Sequence, residues 1–173
     1  VADGYGNRRL IVFDADTMAY KRMWGAFGNT PEDEPGKTGG RGTEGGLLAI
    51  PDPSAPAGRG GRGEAPALDT TGLGAPQFST PVHSIAVSND DIVYVGDRNS
   101  RRFQEFTLQG KYNRQMFINR GGPSGGSVCG FAFSPDPAQE FLYVADYGNS
   151  HIVVVDRKKL EVVYQFATRG AAP

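Results

Sequence analysis

Short runs of β-branched and aromatic residues recur along the chain, separated by turn residues. The runs at 141–144 and 151–155 are rich in Val, Ile, Tyr and Phe. This composition and length are typical of β-strands and argue against an all-helical repeat. The pattern predicts strands at 20–24, 82–87, 92–95, 112–118, 128–133, 141–145, 151–155 and 161–166.

Residues that favour tight turns connect these runs. The segments 88–91 and 134–137 read Ser-Asn-Asp-Asp and Ser-Pro-Asp-Pro. Asn, Asp, Ser and Pro pre-bend the backbone or hydrogen-bond to it at such positions, so each segment predicts a hairpin connection between its flanking strands. Aspartates also recur at turns, and we expect each of them to accept hydrogen bonds from its own neighbouring backbone. They are Asp14, Asp97, Asp146 and Asp156.

The chain repeats itself. Residues 4–14 align without a gap to residues 146–156, residues 97–106 fit the same pattern, and the last two copies lie 49 residues apart. Each full period reads as four short strands joined by turns, which is the pattern of a blade in a β-propeller. We therefore expect an all-β propeller segment of about three four-stranded blades, too few to close a ring alone.

The repeat divides the chain into four parts. We expect a partial first blade at 1–30, an insertion at 31–75, a second blade at 76–122, and a third blade with its connector at 123–173. The insertion contains 12 Gly and 6 Pro and carries no strand pattern. Its glycine-arginine runs lack interleaved aromatic residues, so a loop that lies against a surface is a better interpretation than an RNA-binding segment.

Composition narrows the partners. Eighteen Lys and Arg residues balance 19 Asp and Glu residues, giving a net charge of −1, so broad attraction to nucleic acid is not expected. The apolar runs are too short for a membrane span. A single cysteine excludes a disulfide within the chain.

Three segments carry a resemblance to a known family. Residues 3–9 read Asp-Gly-Tyr-Gly-Asn-Arg-Arg, residues 78–84 read Phe-Ser-Thr-Pro-Val-His-Ser, and residues 97–104 read Asp-Arg-Asn-Ser-Arg-Arg-Phe-Gln. The chain resembles NHL-repeat propellers, and more narrowly the peptidyl-α-hydroxyglycine α-amidating lyases and their bacterial relatives. Those enzymes are six-bladed propellers that cleave an N-acyl-α-hydroxyglycine to a peptide amide and glyoxylate with zinc in the central channel, so the resemblance implies that this segment is part of a six-bladed ring. The resemblance also implies a secreted or periplasmic location.

The same resemblance implies roles for individual residues. Tyr5 and Arg98 would be catalytic, and His83 would bind zinc. Tyr147 stands at the same place in its repeat as Tyr5 and Arg98, and we expect it to contact substrate together with Arg102. Cys129 follows His83 by 46 residues in the equivalent strand, and a thiolate is an acceptable second zinc ligand.

The chain departs from the family in its histidines. The family's zinc takes three histidines from three blades, whereas this chain has two, His83 and His151. His151 begins a strand and is expected at the surface or in a turn. The zinc site of this chain would therefore be incomplete, and the remaining ligands would come from other blades.

Alternative roles remain for each candidate. Tyr5 and Tyr147 could pack on a neighbouring blade, and Arg98 could bridge carboxylates. His83 could hydrogen-bond to backbone, and Cys129 could be a small buried apolar residue.

Three functions are therefore open: a zinc-dependent lyase, a non-catalytic scaffold that binds a peptide, protein or glycan, and a component of a larger assembly. We expect a small-molecule or peptide ligand at the channel face. We also expect either a homo-oligomer or the remainder of a larger propeller, because open sheet faces need covering.

Overall fold

The computed structural model describes residues 1–5, 7–32, 71–122, 126–168 and 170. Within these residues the protein is built from antiparallel β-sheets, with no α-helix, which confirms the expected all-β class. Two single 3₁₀ turns lie at Ala26–Gly28 and Tyr147–Asn149. The strands are β1 Ala2–Asp3, β2 Arg9–Phe13, β3 Tyr20–Trp24, β4 Val82–Val87, β5 Ile92–Asp97, β6 Arg102–Thr107, β7 Tyr112–Phe117, β8 Val128–Phe133, β9 Phe141–Asp146, β10 His151–Asp156 and β11 Glu161–Phe166.

These strands form three sheets in which neighbours in sequence are neighbours in space. The first sheet has the order β1-β2-β3, the second β4-β5-β6-β7 and the third β8-β9-β10-β11. Every pairing is antiparallel. The sequence prediction of two four-stranded sheets preceded by a shorter one is therefore confirmed.

The sheets stack face to face through two apolar clusters. Leu10 and Trp24 of the first sheet pack with Val95 and Phe106 of the second. Tyr94 and Phe103, from the opposite face of the second sheet, pack with residues of the third. A single β-sheet cannot enclose a hydrophobic core. The apolar surface buried between neighbouring sheets therefore stabilises the stack.

Close backbone contacts bring the edge strands of successive sheets together. Strand β4 contacts both β1 and β8. At Gly4 an added Cβ would lie 2.1 Å from the Val82 carbonyl oxygen, and at Gly96 it would lie 3.1 Å from the Val128 carbonyl oxygen and 2.2 Å from the Ser84 hydroxyl. At Gly4 only glycine allows this approach to the β4 backbone, whereas at Gly96 a side chain would require Ser84 to rotate and Val128 to shift slightly.

An arginine joins each sheet to the next in the same way. Arg22 on β3 donates to the Leu108 carbonyl at 2.6 Å, and Arg114 on β7 donates to the Arg157 carbonyl at 2.5 Å. Both carbonyls follow the third strand of the receiving sheet. The equivalent position on β11 is Tyr164, which pairs with Val154 as Arg114 pairs with Glu105.

Most of the predicted insertion, residues 33–70, lies outside the described residues. The residues on either side of the insertion contact one another. Asn29 donates to the Pro76 carbonyl at 3.2 Å, and Gln77 donates to the Thr30 carbonyl at 3.3 Å. No helix in the described part of the chain is long and apolar enough to cross a membrane.

Candidate functional site

A buried aspartate ends the second strand of each four-stranded sheet, and its counterpart ends β1. Asp3 pairs with Arg9 across the β1–β2 ladder, and Asp97 pairs with Arg102 across the β5–β6 ladder. In both cases the arginine Nε lies 3.0 Å from the carboxylate. The turns that follow these aspartates carry Tyr5, Arg98 and Tyr147, so the repeat places these three residues at the same end of their sheets.

The expectation for the turn aspartates is met at two of four positions. Asp14 accepts from the Asp16 and Thr17 N–H groups, and Asp156 accepts from the N–H groups of Lys158 and Lys159. For Asp97 and Asp146 the expectation was wrong. Their carboxylates bind side chains or distant backbone, such as the Ser79 N–H at 3.0 Å from Asp97. Asp97 and Asp146 each pair with a basic residue that begins the next strand, Arg102 or His151. This basic partner is the sequence signal that separates them from Asp14 and Asp156.

The gapless alignment of the first repeat is corrected by the pairing. It places Gly4 opposite Asp97 and Asp146, but the carboxylate equivalent to theirs belongs to Asp3. The first turn is one residue longer than the other two. Counted back from the strand that follows each turn, which is β2, β6 or β10, Tyr5 still corresponds to Arg98 and Tyr147.

Arg102, predicted to bind substrate, is fully buried. Its Nε donates to Asp97, and its other nitrogens donate to the carbonyls of Leu73, Ala75 and Gln77 at 2.8–3.1 Å. Burial raises the pKa of the Asp97 carboxyl, and the Arg102 charge opposes the rise. These contacts give Arg102 a structural role and leave it no exposed donor, so it does not join the other candidate residues.

The third sheet has no arginine at this place. His151 pairs with Asp146, where the other sheets have Arg9 and Arg102. Asp146 Oδ2 accepts hydrogen bonds from Asn119 and from Asn149, the latter at 2.7 Å. Asp146 Oδ1 and His151 Nδ1 are buried and have no hydrogen-bond partner among the described residues. His151 is half-buried rather than exposed, and the ion pair that the first two sheets share is missing here.

His83 and Cys129 occupy equivalent bulges on the edge strands β4 and β8. Val82 pairs with Asp97 and Ser84 with Gly96, so His83 is the extra residue of its strand. Val128 pairs with Asp146 and Gly130 with Ala145, which makes Cys129 the extra residue of its own. A bulge turns a side chain away from the regular alternation of the strand. The two predicted metal ligands thus share one structural position in successive sheets.

His83 contacts residues from both neighbouring sheets. Its Nδ1 lies 2.8 Å from the Cys129 carbonyl oxygen, and its ring centroid lies 6.1 Å from that of Tyr5. A carbonyl oxygen only accepts, so Nδ1 carries the proton and Nε2 carries the lone pair. A backbone hydrogen bond was the alternative role expected for His83, yet the same bond is the usual means of orienting a metal-binding imidazole.

Arg98 and Cys129 lie beside each other. Burial raises the pKa of the half-buried Cys129 thiol, and the charge of Arg98 opposes the rise. The Arg98 carbonyl accepts from the Ser127 N–H at 3.1 Å, and an added Cβ on Gly126 would lie 2.8 Å from Arg98 Cγ. Arg98 forms no ion pair with a carboxylate in the described part of the chain, so the expected alternative, a bridge between carboxylates, is not seen.

The two predicted tyrosines are exposed at their turns. The exposed fraction is 80% for Tyr5 and 67% for Tyr147. The Tyr147 N–H donates to the Ser127 carbonyl at 3.0 Å, which ties this turn to the start of β8. The exposure of Tyr147 does not indicate packing on a neighbouring sheet, whereas the Tyr5 ring contacts His83 of the next sheet and stays largely exposed.

Tyr5 contacts His83, His83 contacts the Cys129 backbone, and Arg98 lies against the residues that precede β8, with Tyr147 on the next turn. We call these five residues the edge-strand site. The His83 imidazole is well oriented to bind zinc. The described residues nevertheless contain no group of three His, Cys, Asp or Glu side chains that could hold a metal ion. Compared with protein-family models and with curated proteins, the chain matches none.

Proposed function

We propose that this chain forms consecutive blades of an NHL-type β-propeller and that the edge-strand site serves a lyase reaction on a peptidyl-α-hydroxyglycine. The observation that carries the proposal is the contact between His83 and Tyr5, with Arg98 on the turn after β5 at the same end of the sheets. An oriented imidazole, a phenol and a guanidinium are the groups that such a substrate requires. The stacking of successive sheets through β1, β4 and β8 supports the propeller arrangement.

The substrate carries a hydroxyl, an amide nitrogen and a carboxylate around one carbon. Zinc, when bound, would polarise the hydroxyl and favour its deprotonation. Tyr5 is the candidate base for that proton, and Arg98 can hold the carboxylate in a two-pronged hydrogen bond. The C–N bond then breaks with its electron pair leaving on the amide nitrogen, which takes up a proton, while the hydroxyl-bearing carbon becomes the aldehyde of glyoxylate.

His83 would be the zinc ligand that this chain supplies, through Nε2. Cys129 is the second candidate, although burial raises the pKa of its thiol and binding would require loss of that proton. Two groups do not close a zinc site, since structural and catalytic zinc ions take at least three protein ligands. The remaining ligands must come from outside the described residues.

Glyoxylate release from N-benzoyl-α-hydroxyglycine in the presence of zinc tests the proposal. Tyr5→Phe should lower the rate by about a hundredfold, the usual effect of removing an acid–base group. Tyr143→Phe is the matched control because it removes the same hydroxyl from β9, outside the edge-strand site. Absence of zinc-dependent glyoxylate release, or equal rates in the two variants, contradicts the lyase.

A non-catalytic scaffold is the second candidate, and the exposure of Tyr5 and Tyr147 favours it. Exposed tyrosine rings are common anchors in protein and peptide interfaces because they bury a large area with few rotatable bonds. If the protein binds peptides at this end, Tyr5→Ala and Tyr147→Ala should both weaken binding whether or not zinc is present. Dependence on zinc would separate the lyase from the scaffold.

A further inference from the structure

A cavity bordered by several charged residues lies between the second and third sheets, at the end opposite the edge-strand site. It has a volume of about 360 Å³. Strands β5, β6 and β7 supply one side, and the turns that follow β8 and β10 supply the other. Its lining includes Tyr94, Glu105, Asn113, Arg114, Glu140 and Arg157. This volume is at the lower end of the range for small-molecule sites and suits a ligand about as large as an amino acid.

The two arginines of the cavity donate their hydrogen bonds to acceptors within the protein. Arg157 donates from Nε to the Tyr94 hydroxyl at 2.9 Å, from Nη1 to the carbonyls of Ala138 and Gln139, and from Nη2 to Asp90 at 2.5 Å. Arg114 donates from Nε to Glu105 Oε2 at 2.7 Å and from its other nitrogens to two carbonyls of the β10–β11 turn. The walls are therefore fixed without a ligand, as a preformed site requires.

Glu105 is the group that this network leaves incomplete. Its side chain is only 3% exposed, and Oε1 is buried without a hydrogen bond to any described residue. The Tyr94 hydroxyl lies close enough to lower the pKa of the Glu105 carboxyl as a hydrogen-bonding neighbour, but its distance or alignment does not satisfy Oε1. A buried carboxylate oxygen without a donor costs free energy, and a ligand that supplies the donor recovers it.

We propose that this cavity binds a small organic cation with N–H donors, a primary amine or a guanidine, through Glu105 Oε1. The short contact from Arg114 favours the ionised carboxylate, so Oε1 accepts rather than donates. Glu140 is exposed at the entrance and adds attraction for a cation, whereas Asp90 is paired with Arg157 and Lys158 also lines the cavity. The Tyr94 ring forms part of the wall for the carbon skeleton of the ligand.

Two probes of equal charge test the proposal at constant ionic strength. Ethylammonium carries N–H donors, and tetramethylammonium carries none. Ethylammonium should produce saturable shifts in the amide NMR signals of residues 138–140 and 157–158, and tetramethylammonium should not. Equal shifts with both ions would show only nonspecific electrostatic attraction. The absence of a saturable shift with ethylammonium would show that water, and not a ligand, hydrogen-bonds to the Glu105 carboxylate. Either result overturns the proposal.

Variants assign the effect to Glu105. Glu105→Gln should weaken ethylammonium binding by about tenfold or more, since hydrogen bonds to charged groups are the stronger ones. Glu140→Gln is the matched control at the entrance and should retain most of the affinity. If Glu105→Gln fails to fold, Asn113→Phe fills the cavity from an exposed position and leaves the Glu105–Arg114 pair in place. Undiminished binding in Glu105→Gln or Asn113→Phe would contradict the assignment.

Discussion

Single residues decide how each sheet ends. Asp97 and Arg102 form an ion pair that is buried on both sides, whereas the equivalent pair of Asp3 and Arg9 is partly exposed. A buried charge is tolerated only with its partner, because desolvation disfavours the charged form. The two pairs share one geometry and differ in exposure, so they form a natural comparison of what burial contributes.

Arg102→Ala should lower the free energy of unfolding by about 3–5 kcal/mol, the usual cost of leaving a buried charge unpaired. Arg9→Ala removes the equivalent partner of Asp3 and should cost about 1 kcal/mol or less. Urea denaturation of both variants provides the measurement. Similar losses in the two variants would contradict the role given to burial.

His151 offers the opposite experiment. His151→Arg would give the third sheet the ion pair of the other two and supply a donor to Asp146 Oδ1. We expect a gain of about 0.5–1 kcal/mol, at the low end of repeat-restoring substitutions. The reason for the small value is that Arg101 already places a positive charge near Asp146. His151→Met, which adds no donor, is the control, and an equal melting temperature for the two variants would refute the explanation.

At the scale of elements, the joints between sheets depend on Arg22 and Arg114. Arg114 also holds Glu105, whose pKa burial raises and Arg114 lowers. A carboxyl with a raised folded pKa contributes stability at low pH, and that contribution is lost as pH rises from the unfolded value of about 4.5 through the folded one. Removing the arginine raises the folded pKa further and widens this range.

Arg114→Ala should therefore destabilise the protein by about 3 kcal/mol at neutral pH and by clearly less at pH 4. The double variant Arg114→Ala with Glu105→Gln should recover part of the loss at neutral pH, because no unpaired charge is left. Arg22→Ala, at the other joint, is the matched control and should show no such dependence on pH. Chemical denaturation at the two pH values measures all three. A loss in Arg114→Ala that does not change with pH would contradict this account.

The strands were predictable from sequence, and the contacts between sheets were not. Alternating β-branched residues and turn chemistry place strands such as β8 and β11 at their observed limits, since both signals are local. The longer first turn was missed because a gapless match between repeats hides a one-residue insertion. The contact of His83 with the Cys129 carbonyl and the Glu105–Arg114 pair were also missed. Both depend on which sheets become neighbours, which no short segment encodes.

At the scale of the whole molecule, the two outer faces of the stack are apolar. The third sheet exposes Tyr164 and Phe166, whose rings stack 6.1 Å apart, and the first sheet exposes Phe13 and Tyr20. Exposed apolar patches of this kind mark association surfaces. We therefore expect the described sheets to be covered in solution, either by another copy or by further blades.

The repeat indicates that the open face of the third sheet is complementary to the open face of the first. In the two internal joints, the face that carries Leu10 or Phe103 packs on the face that carries Phe106 or Val155. The open face of the third sheet carries Ile152 at the place of Phe103. The open face of the first sheet carries Phe13 at the place of Phe106. The two open faces are thus the two halves of one joint, and head-to-tail contact between copies would repeat it.

Light scattering at micromolar concentration tests this expectation. Two copies of three sheets would close a ring of six, so we expect twice the mass of a single chain. Tyr164→Lys and Tyr20→Lys, one on each open face, should each reduce the mass to that of one chain, because a lysine charge is costly to bury in an apolar joint. Lys111→Ala, a change on the exposed β6–β7 turn, should leave the mass unchanged. A folded wild-type protein with the mass of a single chain would contradict closure by a second copy, since the joint that the two open faces complete would then not form. Failure of the wild-type protein to fold by itself would instead favour further blades as the covering surface, because the same two faces would then need their partner for the sheets to form at all.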